Sequence, residues 1–258
     1  MIISHRHKYL FVEVPHTASS AVSRELTEHY AGESTLYKHA NYSEFRRIAS
    51  RSEKRYFVFA GVRNPLDTAI TEYSKLKSNH WGDYTDPKRY AVNDGWIPES
   101  HLEKFRFIRD NEADFAAFFR RFYDEVYHQW VMTAHHRYDF VMRFERIQED
   151  FGRVLEKLGL QQLRPLPVVN ESKRSGAVAD YYKPELRAQA VRVFGPFMRK
   201  WEYEFPDDWG DPQTPLVSRL RFGVSEALVN ALARFARLSP YDPFVQRCKQ
   251  LARRVGAA

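Results

Sequence analysis

The chain has 258 residues, 43% of them apolar and 15% aromatic, enough to bury a full core and too aromatic for a disordered segment. One cysteine, Cys248, excludes an internal disulfide and any cysteine-based zinc site, which points to a reducing compartment. The net charge of +7 is uneven: residues 211–258 carry eight basic and three acidic side chains, so the remainder is only +2 and does not read as a nucleic-acid-binding surface.

No apolar leader precedes the first strand-like run, and no run reaches the roughly 18 apolar residues a membrane span needs. A soluble, cytoplasmic protein is expected. Tyr9–Val14 is a short apolar run ending at Pro15. A loop of small hydroxyl-bearing residues follows, and then a helical pattern through Val22, Arg24, Glu25 and Leu26. Strand, small-residue loop and helix N-terminus together aim backbone N–H groups and the positive end of a helix dipole at one point, which suits phosphate or sulfate. The Gly-Lys-Ser/Thr ending of an NTPase loop is missing, so ATP or GTP is not the natural ligand and a nucleotide kinase is disfavoured.

Tyr56–Val62 is the second apolar run, leading into Arg63-Asn64-Pro65, with Pro65 placed to open a helix through Leu66, Ala69, Ile70 and Tyr73. Residues 80–100 form a long excursion rich in Gly, Pro and aromatics, read as a lid or acceptor wall. Its Trp81, Tyr84, Tyr90 and Trp96 suit either stacking on an acceptor ring or ordinary half-buried packing. Residues 103–137 read as helical, with Phe115, Phe118, Phe119, Phe122 and Tyr123 turned inward as core. Phe140–Phe144 is the third strand-like run, followed by a helix over Arg146–Leu158 that Gly159 stops. A polar, basic loop, Asn170–Gly176, precedes a helix from Pro184 to Trp201. Buried strands alternating with helices predict a parallel sheet covered on both sides, with ligands at the strands' C-terminal ends.

Two of these segments carry a family resemblance. Pro15-His-Thr-Ala-Ser-Ser-Ala21 resembles the sulfotransferase loop that holds the 5′-phosphosulfate of 3′-phosphoadenylyl sulfate (PAPS), usually Pro-Lys-Thr-Ala/Gly-Ser/Gly-Thr-Ser. Val62-Arg-Asn-Pro-Leu-Asp67 through Thr71-Glu-Tyr73 resembles the family's 3′-phosphate motif, with a hydroxyl residue eight positions after the Arg. Tyr138–Phe151, Asn170–Gly176, Tyr181-Tyr182 and Trp201–Phe205 are also similar, so the likeness spans roughly residues 8–206. It implies a P-loop NTPase-like parallel sheet flanked by helices, a sulfotransferase domain over 1–210 and a C-terminal helical extension over 211–258.

The resemblance also implies roles. Thr17, Ala18, Ser19, Ser20 and Ala21 would cradle the phosphosulfate, Arg63 and Thr71 the 3′-phosphate, and Lys173 and Arg174 would close over the nucleotide. Arg63 could instead pair with Asp67 on the surface, and Lys173 and Arg174 could form a solvated turn. His16 stands where the family has Lys against the bridging oxygen. A protonated imidazole could take over that role; otherwise His16 only positions the donor, or the protein is impaired. Tyr37–Phe45 resembles the segment of uronyl 2-O-sulfotransferases that supplies the base, which makes His39 the catalytic-base candidate. PAPS is the implied co-substrate, no metal is required, and the pair His135-His136 lacks partners at ligand spacing. A carbohydrate hydroxyl is the favoured acceptor, ahead of a lipid or small alcohol. In the extension, Leu216, Leu220, Val224, Leu228, Leu232 and Phe235 recur at helical spacing beside Arg219, Arg221, Arg234 and Arg237. Such a helix can dock on the domain, pair with a second subunit, or lie on an anionic membrane at the inner face.

Overall fold

The computed structural model describes residues 1–133, 138–168 and 176–231. In chain order its elements are β1 (Ile2–Ser4), β2 (Tyr9–Val12), α1 (Ser19–His29), β3 (Glu33–Ser34), α2 (Tyr42–Ile48), β4 (Phe57–Val62), α3 (Pro65–Lys77), α4 (Glu99–Asp110), α5 (Phe115–Phe122), α6 (Trp130–Thr133), β5 (Phe140–Arg143), α7 (Ile147–Lys157), α8 (Val178–Tyr181), α9 (Pro184–Lys200) and α10 (Leu216–Ala231). They group into two compact units interleaved along the chain. Counting described residues only, the first draws on 1–63, 128–168 and 223–231, the second on 64–127 and 176–222.

The first unit is an α/β structure around a five-stranded sheet of order β3-β1-β2-β4-β5. The three expected strands are neighbours and parallel, Phe11 pairing with Phe59 and Phe59 with Phe140. The sheet as a whole is mixed, however, which corrects the all-parallel expectation: β1 runs antiparallel to both β2 and β3. Strands of three and two residues are too short to display a hydrophobic period, and the β1–β2 turn is the charged, unstrandlike His5–Lys8. In β2 all four residues, of both alternating parities, are fully buried, as expected of a strand covered on both faces. On one of those faces Tyr9, Phe11, Phe59 and Met142 pack with Val22 and Leu26 of α1 and Phe151, Val154 and Leu155 of α7.

The second unit is helical and aromatic. Tyr73 of α3, Phe115, Phe118 and Phe119 of α5, Tyr123, Tyr182 and Phe194 of α9 share one buried cluster. Phe115, Phe118, Phe119 and Tyr123 are therefore core, while Phe122 is only partly buried. The helix expected over 103–137 is broken: α4 ends at Asp110, and Asp114 restarts the chain by accepting a hydrogen bond from the Ala117 N–H at 2.8 Å. Pro65 does open α3, with Asn64 capping through the Leu66 N–H at 2.9 Å. The excursion over 80–100 is a chain of short helical turns tied by Arg89 to Asp83 and by pairing of Tyr90 with Ile97. Residues 211–222 belong to this unit and 223–231 to the first. Among the described residues no helix is long and apolar enough to cross a membrane.

Candidate functional site

The parallel strands β2, β4 and β5 finish at one edge of the first unit, and the loop after β2 is built against that edge. His16 and Ala18 both have left-handed backbone, with φ of 65° and 58°. Two such residues that are not glycine, so close together, cost about 1 kcal/mol each and persist only where the surroundings impose them. Their effect is to turn successive N–H groups toward one side and to start α1 at Ser19, with the Ala18 carbonyl accepting from Ala21 and Val22 at 3.0 and 3.2 Å. The N–H groups of that first turn point out of the helix end, where the dipole favours an anion. The Thr17 hydroxyl is turned inward, donating to the Val14 carbonyl at 2.9 Å, so it braces the loop.

Gly61 on β4 allows this loop to lie so close. A Cβ there would stand 2.7 Å from Thr17 Oγ1 and 2.8 Å from Thr17 Cβ. One residue beyond the end of β4, the Arg63 guanidinium stacks 3.9 Å above the Phe144 ring and donates from Nη1 to the His16 carbonyl at 3.2 Å. Arg63 is 9% exposed. It is therefore a positioned cation on the loop rather than a loose surface charge.

The segment before α2 closes the other side. His39, also left-handed at φ 65°, sets Nδ1 2.8 Å from the Glu13 carbonyl at the foot of the loop. A carbonyl only accepts, so Nδ1 carries the hydrogen and Nε2 of the neutral ring holds the lone pair. Burial pushes the His39 imidazolium below the ordinary histidine range, against the opposing pull of the Glu13 carbonyl. Beside it Lys38 donates from Nζ to Ser20 Oγ at 2.9 Å, which puts an ammonium over the first turn of α1. The Glu13 side chain is buried and accepts from the Met1 amino group and Ser23, each at 2.7 Å; burial opposes its ionisation but these partners hold its carboxyl below the usual range. A shallow hollow of about 410 Å³ lined by Met1, Glu13, Ser20, Ser23, Arg24 and Lys38 lies beside this segment; His16, His39 and Arg63 do not line it.

The structure thus gathers His16, Thr17, Ala18, Ser19, Ser20, Ala21, His39 and Arg63 into one neighbourhood. Lys38, Gly61 and Phe144 complete it without a signal of their own, save that a glycine inside an aromatic strand marks a close approach. Thr71 lies in the second unit, on α3. It is 2% exposed, and its hydroxyl has no hydrogen-bond partner among the described residues. Lys173, Arg174, His135 and His136 lie outside the described residues.

The second unit has its own polar cluster. Glu72, the neighbour of Thr71, accepts from Lys104 Nζ at 2.8 Å and from the Tyr123 hydroxyl at 2.6 Å, with His101 Nε2 3.9 Å away. Burial works against its charge, yet Lys104 and His101 hold Glu72 down at about 2. Burial and that nearby charge together push Tyr84 up to about 12. In the excursion, Tyr84 stacks on Phe105 and is half-buried, and the Tyr90 hydroxyl donates to the Tyr84 carbonyl; Trp81 and Trp96 are each 65% exposed.

Comparison of the chain with models of known families, with curated proteins and with solved structures found no match in any of the three.

Proposed function

We propose that this protein is a PAPS-dependent sulfotransferase with a P-loop-like α/β fold, transferring a sulfuryl group to a hydroxyl, best read as that of a carbohydrate. The observation that carries the reading is the strained His16–Ala18 turn, which aims the N-terminus of α1 at an anion and is gripped by the cation Arg63 through the His16 carbonyl. A loop that only joined a strand to a helix would need neither the two left-handed residues nor the glycine that lets it press on β4.

In the proposed reaction the acceptor oxygen attacks sulfur in line with the bridging S–O bond. That bond breaks, its electron pair stays on the departing 5′-phosphate, and the acceptor proton passes to Nε2 of His39. Adenosine 3′,5′-bisphosphate and the sulfate ester are the products. The tautomer imposed by the Glu13 carbonyl and the lowered basicity of the buried ring both suit a base that is neutral near pH 7. The protein otherwise contributes position and charge. Main-chain N–H groups of Thr17–Ser20 with the Ser19 and Ser20 hydroxyls take the phosphosulfate, and Arg63 takes the 3′-phosphate, a role assigned to Thr71 as well. His16 replaces the usual Lys, and Lys38, fixed on Ser20, supplies an ammonium of the kind that Lys provides.

The test is binding of adenosine 3′,5′-bisphosphate to wild type and Arg63→Ala, followed by turnover of labelled PAPS over glycan, lipid and small-alcohol acceptors. Wild type is expected to bind, Arg63→Ala to bind at least tenfold more weakly, and a glycan to be sulfated. Absence of nucleotide binding by wild type overturns the reading. Binding without transfer to any acceptor makes the protein a non-catalytic nucleotide binder, the outcome to which the His16 substitution would then be attributed.

A further inference from the structure

Helix α10 is amphipathic the wrong way round for a helix of a compact fold. Its apolar residues face out: Leu216 is 60% exposed, Val217 60%, Leu220 59%, Val224 61% and Leu228 56%. At about 100° per residue these five, with the exposed Ala227 and Ala231, fall within an arc of about 120°. The opposite half holds Ser218, Phe222 and Val229, each under one-tenth exposed. Five large aliphatic side chains in one continuous stripe are more than the scattered exposed leucines of an ordinary surface.

The charges around the stripe say what kind of surface covers it. Arg221, exposed, lies about 20° beyond one edge of the stripe; Arg219, also exposed, lies about 60° beyond the other edge, within about 20° of the helix's one acid, Glu226. The 27 residues that follow the helix add Arg234, Arg237, Arg247, Lys249, Arg253 and Arg254 against the single acid Asp242. A second copy laid on this stripe would bring arginine against arginine, and the sequence that follows the helix carries a further excess of positive charge. An anionic surface is the complementary partner. Aliphatics without an aromatic anchor, bordered by arginines, match the boundary between lipid headgroups and acyl chains better than a protein hot spot.

We propose that α10 docks this protein on an anionic lipid bilayer, lying in the interface plane with Leu216, Leu220, Val224 and Leu228 in the acyl boundary and Arg219 and Arg221 at the headgroups. The helix lies on the membrane and does not cross it. The proposal is independent of the sulfotransferase reading. If both hold, transfer takes place at a bilayer surface.

The full chain should be sedimented with phosphatidylcholine vesicles and with vesicles containing phosphatidylglycerol, beside Leu220→Glu/Val224→Glu and Arg219→Glu/Arg221→Glu. The altered side chains are exposed, so circular dichroism and melting temperature should stay at wild-type values. Wild type is expected to partition onto the anionic vesicles alone, more weakly as salt rises. The first double variant should lose about tenfold or more of that partitioning, because two aliphatic groups are replaced by charges. The second should lose a comparable amount, because two headgroup contacts change sign. Failure of wild type to bind anionic vesicles at low salt overturns the proposal. So does equal binding by Leu220→Glu/Val224→Glu, or a wild-type dimer that this variant dissociates while vesicle binding is absent.

Discussion

Single side chains set the strongest tests. At Gly61 there is no room for a methyl group beside Thr17, so Gly61→Ala must push the loop off β4. Overpacking of this kind costs about 1–3 kcal/mol; a lowered melting temperature together with lost bisphosphate binding is the expected result, whereas binding at wild-type affinity would detach the loop from the function. Thr71 separates two roles cleanly. Its buried hydroxyl has no partner among the described residues, so Thr71→Val should leave stability unchanged or slightly higher. If that hydroxyl binds phosphate, the same variant weakens nucleotide affinity by about tenfold, measured by calorimetry. For His39, a base held below the ordinary histidine range, turnover should stay level through neutral pH and fall only on the acid side of that range as the ring protonates. His39→Ala should lower kcat by about 10²–10⁴ with bisphosphate binding retained. None of the strain at His16, Ala18 and His39 was legible beforehand, because a glycine announces left-handed backbone and these residues do not. The pairing of Lys38 with Ser20 was equally hidden, since it needs the segment before α2 folded back onto α1.

Among whole elements, legibility followed length and period. Runs such as Tyr9–Val12 and Phe57–Val62 are apolar at nearly every position because both faces are covered, and Pro65 and Gly159 punctuate the helices that follow β4 and β5. The turn at Asn111–Asp114 differs from the expected continuous helix because the aromatic pattern runs on across it and only the Asp114 cap marks the restart. Removing that cap with Asp114→Ala should cost about 1 kcal/mol, read from denaturant unfolding, with little change in the native spectrum. Helix α10 shows the limit of periodicity in another way. Its spacing of Leu and Val gives the helix correctly but not the side on which the stripe lies, and a stripe turned outward reads the same in sequence as one turned inward.

For the molecule as a whole, the described chain passes between its two units four times, and neither unit is a continuous piece of sequence. Composition and motifs ran smoothly across those crossings, so nothing in the sequence marked them. Acid should weaken the second unit first where Glu72 sits. Its carboxyl is held at about 2, below the roughly 4.3 of an unfolded chain, so its contribution is complete above that value and is lost as pH falls from about 4.3 toward 2. Glu72→Gln should flatten stability across that window, followed by near-ultraviolet circular dichroism. The interleaving also governs how the chain meets the ribosome. Phe115, Phe118, Phe119 and Tyr123 are synthesised 71 or more residues ahead of Phe194, which packs on them. At about 5–20 residues per second that is an interval of roughly 4–14 s. During it an aromatic surface stands uncovered on the nascent chain, so the second unit completes its core only late in translation.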